Sequence, residues 1–322
     1  MAFPVFHSVE DWAAHFADAR RTAVTVGNFD GLHVGHQKIL RTVRDRARLT
    51  GERAAVITFD PHPMRVLQPE RAPVMIQTLA QRLDGFERMG MDAALVLRFD
   101  RALSEVSPEE FIDRILVAGL RAGAVLVGAN FRFGHRGAGD VQLLSEFGRR
   151  EGFAVETIAP VEVGGQMVSS TGVRVAVASG DVAAAIPLLG RAFSLTGEIR
   201  AGAGRGRTIL FPTLNLVPEQ ELLPKLGVYA TESVVGGKLY ASVTNVGTRP
   251  TFNGAGLTVE SHLFAFSENL AGGPMEVRFH ARIRDERKFS GPDALRAQIA
   301  RDIEEARKFF SERTLAGQSS RD

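Results

Sequence analysis

One turn of the chain constrains its fold more than any other feature. An apolar run at residues 23–26 leads into a glycine-rich turn at 27–36, and a helical pattern begins at Gln37. A strand that passes through glycines into a helix directs free backbone N–H groups and the positive end of a helix dipole at one point. This geometry binds phosphate. The turn therefore predicts a strand–helix unit of an α/β domain with a phosphate site at its end.

Residues 1–189 alternate between short apolar runs and helical patterns. Candidate strands are residues 22–26, 54–59, 93–99, 124–127 and 153–158, and candidate helices are residues 35–49, 78–89, 108–119 and 140–150. Continuous apolar strands with helices between them are typical of a doubly wound, Rossmann-like parallel sheet. Ligands of such sheets bind at the carboxyl ends of the strands, which is where the glycine turn would lie.

The sequence pattern changes after Gly190. Short strand-like runs at 194–199, 228–235, 238–243, 258–264 and 275–281 are separated by Gly, Pro and Asn. Such a pattern predicts a small antiparallel β-barrel. A terminal helix begins near Ser290 and Pro292, and the tail after about Thr314 is expected to fray. We therefore expect two domains, 1–189 and 190–322, with two short helices near 171–189 at the boundary.

Composition narrows the class of protein. The chain has no cysteine, which excludes disulfides, thiolate nucleophiles and thiolate metal sites. No apolar run approaches the roughly 18 residues that a membrane span needs, and the N-terminus carries no signal pattern. A net charge of +2 is too small to indicate nucleic-acid binding. We expect a cytoplasmic protein without membrane or nucleic-acid partners; its oligomeric state, homo-oligomers included, is left open.

Two histidines, His33 and His36, stand at the predicted helix start. They could be a capping or structural pair, or donors to a phosphate. Zinc is disfavoured because no third ligand lies nearby at metal spacing. The run from Ser169 to Thr171 suits an ordinary helix N-cap, but Arg174 one turn later suits a grip on phosphate oxygens. This second cluster favours the phosphate interpretation.

Together, His-x-Gly-His and Ser-Ser-Thr-x-x-Arg resemble the motifs of a class of nucleotidyltransferases. Residues 58–63 and 127–134 narrow the resemblance to the flavin adenylyltransferase module of bacterial bifunctional riboflavin kinase/FAD synthetases. The resemblance implies that His33, His36 and Arg174 are catalytic. It also implies that nucleotide and flavin are bound by Gly27, Asn28, Phe29, Asp30, Gly31, Gly35, His62, Asn130, Arg132, Ser169, Ser170 and Thr171.

A second candidate site begins with the Gly/Arg-rich stretch at 202–207, followed by Thr213 and Asn215 in a Pro-Thr-x-Asn run. The stretch alone fits a turn, a phosphate loop or an RNA contact. The hydroxyl and amide oxygens that follow are hard donors suited to Mg²⁺, which favours phosphate. Glu260 alternates with apolar residues, as an ordinary exposed strand carboxylate would, but the Asn-x-Gly-x-Arg-Pro-Thr-Phe segment at 245–252 gives it more weight.

These segments resemble the riboflavin kinase module of the same bifunctional family. The resemblance implies that Glu260 is the catalytic base and that Thr213 and Asn215 hold Mg²⁺. The nucleotide-binding residues that it implies are Gly202, Gly204, Arg205, Gly206, Arg207 and Arg284. Three positions depart from the family pattern: Leu210 replaces a frequent glycine, Leu214 the usual alanine, and Asn130 an aspartate found in many members.

The resemblance implies two successive reactions. Riboflavin and ATP would give FMN, and FMN with a second ATP would give FAD and pyrophosphate, both with Mg²⁺ or another divalent cation. One alternative is a different nucleotidyltransferase whose C-terminal domain only binds a ligand. Another is a non-catalytic flavin-binding or RNA-binding protein that uses the Gly/Arg stretch.

Overall fold

The computed structural model describes residues 3–200, 211–251, 254–268, 270 and 272–319. Its internal contacts divide the chain into two compact units, Met1–Ser170 and Thr171–Asp322. The two short helices that the sequence places at the boundary are counted with the second unit. The domain division at 189/190 stays a prediction.

The first unit is built on a six-stranded sheet. Its strands are β1 (Val5–Phe6), β2 (Thr22–Val26), β3 (Arg53–Asp60), β4 (Ala93–Arg98), β5 (Ala122–Gly128) and β6 (Ala154–Ile158). They lie in the order β1-β4-β3-β2-β5-β6, and every neighbouring pair is parallel. The predicted parallel sheet is confirmed. The edge strand β1 was not predicted, because two residues are too few to show a periodic pattern.

Helices cover both faces of this sheet. They are α1 (Val9–His15), α2 (Val34–Thr50), α3 (Pro63–Leu67), α4 (Leu79–Arg88), α5 (Arg101–Glu105), α6 (Pro108–Phe111) and α7 (Val141–Glu151). A π-helical segment, Ile112–Gly119, continues α6. A short antiparallel pair, β7 (Glu162–Val163) and β8 (Gln166–Met167), follows the sheet. One apolar core contains Trp12 and Phe147, and a second contains Leu40 and Phe86. Cores on both faces are typical of a doubly wound fold.

The order of the strands identifies where this unit can bind a ligand. The chain runs outward from β2 through β3 to β4, and then returns to place β5 and β6 on the other side of β2. The direction of winding therefore reverses between β2 and β5. Ligands of open α/β sheets bind beyond the carboxyl ends of the strands at such a reversal. The turns that meet there begin at Gly27, after β2, and at Ala129, after β5.

In its described residues, the second unit consists of a closed barrel and three helices. Its strands are β9 (Phe193–Arg200), β10 (Leu214–Pro218), β11 (Gly227–Val235), β12 (Lys238–Thr251), β13 (Gly254–Leu263) and β14 (Pro274–Asp285). The order around the barrel is β10-β13-β12-β11-β14-β9. The helices are α8 (Ser170–Ser179), whose first residue still belongs to the first unit, α9 (Val182–Leu189) and α10 (Pro292–Ser319). The predicted barrel and terminal helix are confirmed.

Three features of this unit differ from the sequence prediction. β10 was missed, because it is only five residues long, begins two residues after Pro212 and ends at Pro218. β12 continues to Thr251 because its ladder with β13 extends that far, whereas the apolar pattern fades after Val243. α10 continues to Ser319, beyond the predicted onset of fraying near Thr314.

A chain of buried hydroxyl groups marks the inside of the barrel. It links Thr231 with Ser242 at 2.8 Å, Thr231 with Thr244 at 2.7 Å, and Thr244 with Ser261 at 2.7 Å. Because successive side chains of a strand point to opposite faces, Glu260 and Asn245 lie on the outer face. An apolar cluster on that face joins the strands to α10 through Val228, Ala230, Val243, Ile303 and Ala306.

Candidate active sites

Hydrogen bonds to its backbone carbonyl oxygens hold the glycine turn after β2 in place. Each of three carbonyls accepts a hydrogen bond from a side chain outside the turn. The bonds run from Arg82 to Asn28 O at 2.9 Å, from Ser170 Oγ to Asp30 O at 2.8 Å, and from Gln37 Nε2 to Leu32 O at 2.9 Å. Engaging these acceptors removes partial negative charges that would repel a phosphate. The turn is thereby prepared to present donors.

Two residues of the turn adopt left-handed backbone conformations that side chains disfavour. Phe29 has φ 51° and Leu32 has φ 42°. Such conformations cost on the order of 1–3 kcal/mol each and persist where packing enforces them. The Phe29 ring is buried 5.6 Å from that of Phe86, and Leu32 packs so closely on Gly85 that a Cβ there would lie 2.1 Å from its Cδ1. The core therefore fixes the turn in a strained shape, as functional sites often require.

Asp30, predicted to bind nucleotide, is buried in this turn. Its carboxylate accepts hydrogen bonds from the backbone N–H of Ile76, at 3.0 and 3.1 Å, and of Gln77, at 3.1 Å. These contacts anchor the segment that precedes α4. A nucleotide-binding role for Asp30 stays a prediction. The hydrogen bonds just described are those of a residue that shapes the turn.

His33 is the N-cap of α2. Its Nδ1 accepts the backbone N–H of His36 at 3.3 Å, so in the neutral ring the proton is on Nε2. The two imidazoles stack with their centroids 3.6 Å apart and an interplanar angle of 17°. A Cβ at Gly35 would lie 3.1 Å from His33 Nδ1, which is tighter than ordinary packing. The His-x-Gly-His spacing thus gives a capped, stacked pair in which the proton of the neutral His33 ring is on Nε2.

His36 is held in its neutral form. Burial keeps the pKa of its imidazole well below the ordinary value, and the neighbouring His33 lowers that pKa further. Within the described residues, His36 Nδ1 and Asn28 Oδ1 are buried polar atoms without a hydrogen-bond partner. Leaving such an atom unpaired costs roughly 1–3 kcal/mol. Two of them in one strained turn indicate a site that a polar ligand completes.

Other predicted residues follow the strands on either side of β2. His62 follows β3 and caps α3, with its Nδ1 accepting the backbone N–H of Met64 at 3.2 Å, so its neutral ring also carries the proton on Nε2. Asn130 follows β5 and is exposed, and Arg132 forms an exposed ion pair with Asp140 at 3.2 Å. The winding of the sheet thus brings the ends of β3, β2 and β5 to one edge.

The serine–arginine cluster divides between the two units. Ser169 and Ser170 belong to the first unit, where Ser170 contacts the glycine turn. Thr171 and Arg174 belong to the second unit, and Arg174 lies one turn along α8. A catalytic role for Arg174 stays a prediction.

Sequence reasoning missed Arg82. Its side chain is 2% exposed, and its guanidinium donates to Asn28 O, to Thr58 Oγ1 at 3.0 Å and to Phe59 O, with Asp60 3.7 Å away. Arg82 therefore links the glycine turn with the end of β3. No local signal could have found it, because arginine in the middle of a short helix normally faces solvent.

On the barrel, Glu260 lies between two asparagines. In the strand register Glu260 of β13 is directly opposite Asn215 of β10 on one side and Asn245 of β12 on the other. Directly opposite residues of antiparallel strands share a face, with Cβ atoms roughly 5 Å apart. A carboxylate flanked by two amides is therefore built into three neighbouring strands. Thr213, two residues before Asn215, precedes β10.

Some predicted residues of the second site lie outside the described part of the chain. These are Gly202, Gly204, Arg205, Gly206 and Arg207, together with Leu210. Their predicted contact with nucleotide stays a prediction.

Arg284, also predicted to bind nucleotide, contacts the terminal helix. Its guanidinium donates to both carboxylate oxygens of Asp302, from Nε at 2.9 Å and from Nη2 at 2.7 Å. The Asp302 side chain is only 4% exposed and also accepts a bond from Gln298 at 2.7 Å. This bidentate pair joins β14 to α10. A nucleotide contact for Arg284 stays a prediction.

We expect Asp302→Ala to destabilise the barrel unit by about 3 kcal/mol, because it leaves the charge of Arg284 partly buried and unpaired. The two tyrosines, Tyr229 and Tyr240, both lie in this unit, whereas the single tryptophan, Trp12, lies in the other. Tyrosine absorbance should show a urea midpoint lower by about 1–2 M, while the Trp12 fluorescence transition stays in place. The matched control is Asp293→Ala, because the Asp293 side chain is 98% exposed. Equal tyrosine midpoints for the two variants would contradict the expectation.

The described residues also bear on metal binding and membrane insertion. They contain no cluster of three or more His, Asp or Glu side chains arranged to hold a metal ion. None of the helices in the same part of the chain is long and apolar enough to cross a membrane.

Comparisons with known proteins give the family. Residues 15–172 match the family model of FAD synthetase, and residues 189–310 match that of riboflavin kinase. A solved structure titled as a macrolide-efflux protein from Streptococcus pneumoniae is 28% identical and superposes with a TM-score of 0.85, over 95% of this chain and 99% of that one.

Curated relatives match nearly the full length of the chain. A bifunctional riboflavin kinase/FMN adenylyltransferase of Haemophilus influenzae is 37% identical over 90% of this chain and 94% of its own length. The enzymes of the same name from Escherichia coli K12 and Bacillus subtilis are 38% and 34% identical, over 89% and 90% of this chain and 92% and 93% of their own lengths. The chain belongs to the family of bifunctional riboflavin kinase/FMN adenylyltransferases.

Proposed function

We propose that the barrel unit phosphorylates riboflavin with ATP and that the parallel-sheet unit adenylylates the resulting FMN with a second ATP. The observation that carries this proposal is that one chain holds two chemically distinct sites. One is a carboxylate between two amides on a barrel, and the other is a stacked histidine pair at the winding reversal of a parallel sheet. A carboxylate suits proton removal, whereas imidazole N–H donors suit a phosphate that needs no base.

In the kinase step, Glu260 accepts the proton of the terminal ribityl hydroxyl of riboflavin. The hydroxyl oxygen then attacks the γ-phosphorus of ATP, the bond to the bridging β,γ-oxygen breaks, and ADP leaves. Asn215 and Asn245, on either side of Glu260, orient the carboxylate and the phosphate. Phosphoryl transfer depends mainly on such positioning and on electrostatic stabilisation.

In the adenylyl step, an FMN phosphate oxygen attacks the α-phosphorus of ATP and pyrophosphate leaves. FMN is already ionised, so no general base is needed. His33, His36 and Arg174 stabilise the charge that develops on the phosphates, and Asn28 with the N–H groups of the turn positions ATP. A phosphate oxygen can accept a hydrogen bond from the His36 ring nitrogen, and the Asn28 amide oxygen can accept one from a hydroxyl or amino group of the nucleotide, so bound ATP would give both buried atoms a partner.

Mg²⁺ belongs to the proposal as well. The donor set fits it, because Thr213 and Asn215 provide hard oxygen ligands close to the Glu260 carboxylate. When bound, the ion neutralises phosphate charge. The same proposal includes a cytoplasmic location and no membrane or nucleic-acid partner. It allows a homo-oligomer.

Incubation with riboflavin, ATP and Mg²⁺ tests the two reactions together. FMN should appear first and FAD later, with one pyrophosphate released for each FAD. EDTA in excess should suppress FMN formation, because the phosphates of ATP then lack their counter-ion. FAD formed without transient FMN, FMN that is never adenylylated, or turnover indifferent to EDTA would each contradict the corresponding part of the proposal.

A further inference from the structure

His262 lies on β13 two residues beyond Glu260, and so on the same outer face of the barrel. Its Nδ1 lies 2.9 Å from the carbonyl oxygen of Pro212. A carbonyl can only accept, so Nδ1 must carry the ring proton and donate it. The rings of Phe211 and Phe264 contact the imidazole edge-on, with centroids 5.7 and 5.9 Å away. The side chain is therefore fixed in both its tautomer and its orientation.

This hydrogen bond lies where the strand pairing stops. The register of β10 with β13 begins at Leu214 opposite Ser261, so Thr213 precedes the paired residues. Pro212 has no N–H and cannot extend the ladder as a donor. The His262 side chain bonds its carbonyl instead. Thr213 is thus held from both sides, by the anchored carbonyl of Pro212 and by the first rung of the ladder.

We propose that His262 is a positioning residue of the kinase site, acting through Pro212 to keep the Thr213 hydroxyl in place for the phosphates of ATP and their divalent cation. This inference rests on the proposed function of Thr213. His262 itself contacts neither substrate nor metal in the proposal. The bond to Pro212 is reachable by solvent, so water can replace it when it is lost. Its loss should therefore impair the use of ATP more than it impairs folding.

Two variants separate the hydrogen bond from the ring packing. His262→Phe keeps a ring between Phe211 and Phe264 but has no donor, whereas His262→Asn loses the ring but places an amide N–H near the position of Nδ1. We expect His262→Phe to raise the KM for ATP in riboflavin phosphorylation by about tenfold or more, since small displacements of positioning groups have large effects. The KM for riboflavin should stay within about twofold, and His262→Asn should recover most of the loss.

Two internal references accompany this measurement. FAD formation from added FMN uses the proposed adenylyl site, which includes neither His262 nor Thr213, and should be equal in all the proteins. Hydrogen exchange of the Thr213 and Leu214 amides should be faster in His262→Phe than in the wild type, a readout that does not depend on turnover. If the wild type makes no FMN, the proposed function itself fails. If the wild type makes FMN and His262→Phe has an unchanged KM for ATP, or His262→Asn is no better than His262→Phe, only the positioning part of His262 is overturned.

Discussion

His36→Ala is expected to lower FAD formation from FMN and ATP by roughly 10²–10³-fold, the usual effect of removing one donor to a developing oxyanion. The His36 imidazole is half-buried and neutral, stacks on His33 at 3.6 Å and has a buried Nδ1 without a hydrogen-bond partner among the described residues. A donor that is used mainly in the transition state affects kcat and kcat/KM alike. Steady-state assays with added FMN measure this effect without any contribution from the kinase step.

Riboflavin phosphorylation by the same His36→Ala protein provides its internal control and should be unchanged, because it takes place in the other unit. His7→Ala is a matched control, since His7 is an exposed histidine of the same unit. His36→Gln, which keeps an N–H donor, should recover part of the activity. FAD formation by His36→Ala within about tenfold of the wild type, in a protein with normal Trp12 fluorescence, would remove His36 from the mechanism.

The fold could largely be predicted because the two units have strong and different periodic patterns. The strands of the sheet are buried on both faces, so each appears in the sequence as a continuous apolar run. The strands predicted at 22–26, 54–59, 93–99, 124–127 and 153–158 are all present, with bounds that differ by at most two residues. In the barrel, short runs between Gly, Pro and Asn predicted every described strand except β10, but not the strand lengths. The length of β12 depends on its partner β13, a tertiary property.

Only the local geometry around the candidate site residues could be predicted from the sequence. The His33 cap, the stacked His36 and the glycine between them follow from spacing within one turn. The contacts that support them do not. Arg82 is 54 residues from Asn28, and the Asp30 carboxylate binds N–H groups 46 and 47 residues away. Such pairs follow from packing, and single-residue properties do not reveal them.

The neighbours of Glu260 also could not be predicted from its local sequence. Its alternating surroundings are those of an ordinary strand, and only the register places it between Asn215 and Asn245. Ladder register in a barrel is fixed by closure of the whole sheet. In sequence, Asn215 lies 45 residues before Glu260 and Asn245 lies 15 residues before it. Their proximity is therefore a result of the fold.

Glu260→Gln is expected to lower riboflavin phosphorylation by roughly 10²–10⁴-fold, the range that general base catalysis supplies. The substitution preserves the size of the side chain and its hydrogen-bonding reach, so the row with Asn215 and Asn245 should persist. FAD formation from added FMN should be unchanged. The KM for ATP should change much less than kcat, because the carboxylate acts as a base and is not a ligand of the metal.

Two further variants make the Glu260 result specific. Glu276→Gln is the matched control, since Glu276 is a carboxylate on another strand of the same barrel, ion-paired with Arg278 at 2.8 Å. It should leave both reactions intact. Glu260→Asp keeps a base but withdraws it by one methylene group, and should fall between the wild type and Glu260→Gln. If Glu260→Gln instead raises the requirement for Mg²⁺ at a nearly normal kcat, Glu260 is a metal ligand. If it phosphorylates riboflavin at the wild-type rate, the base lies elsewhere.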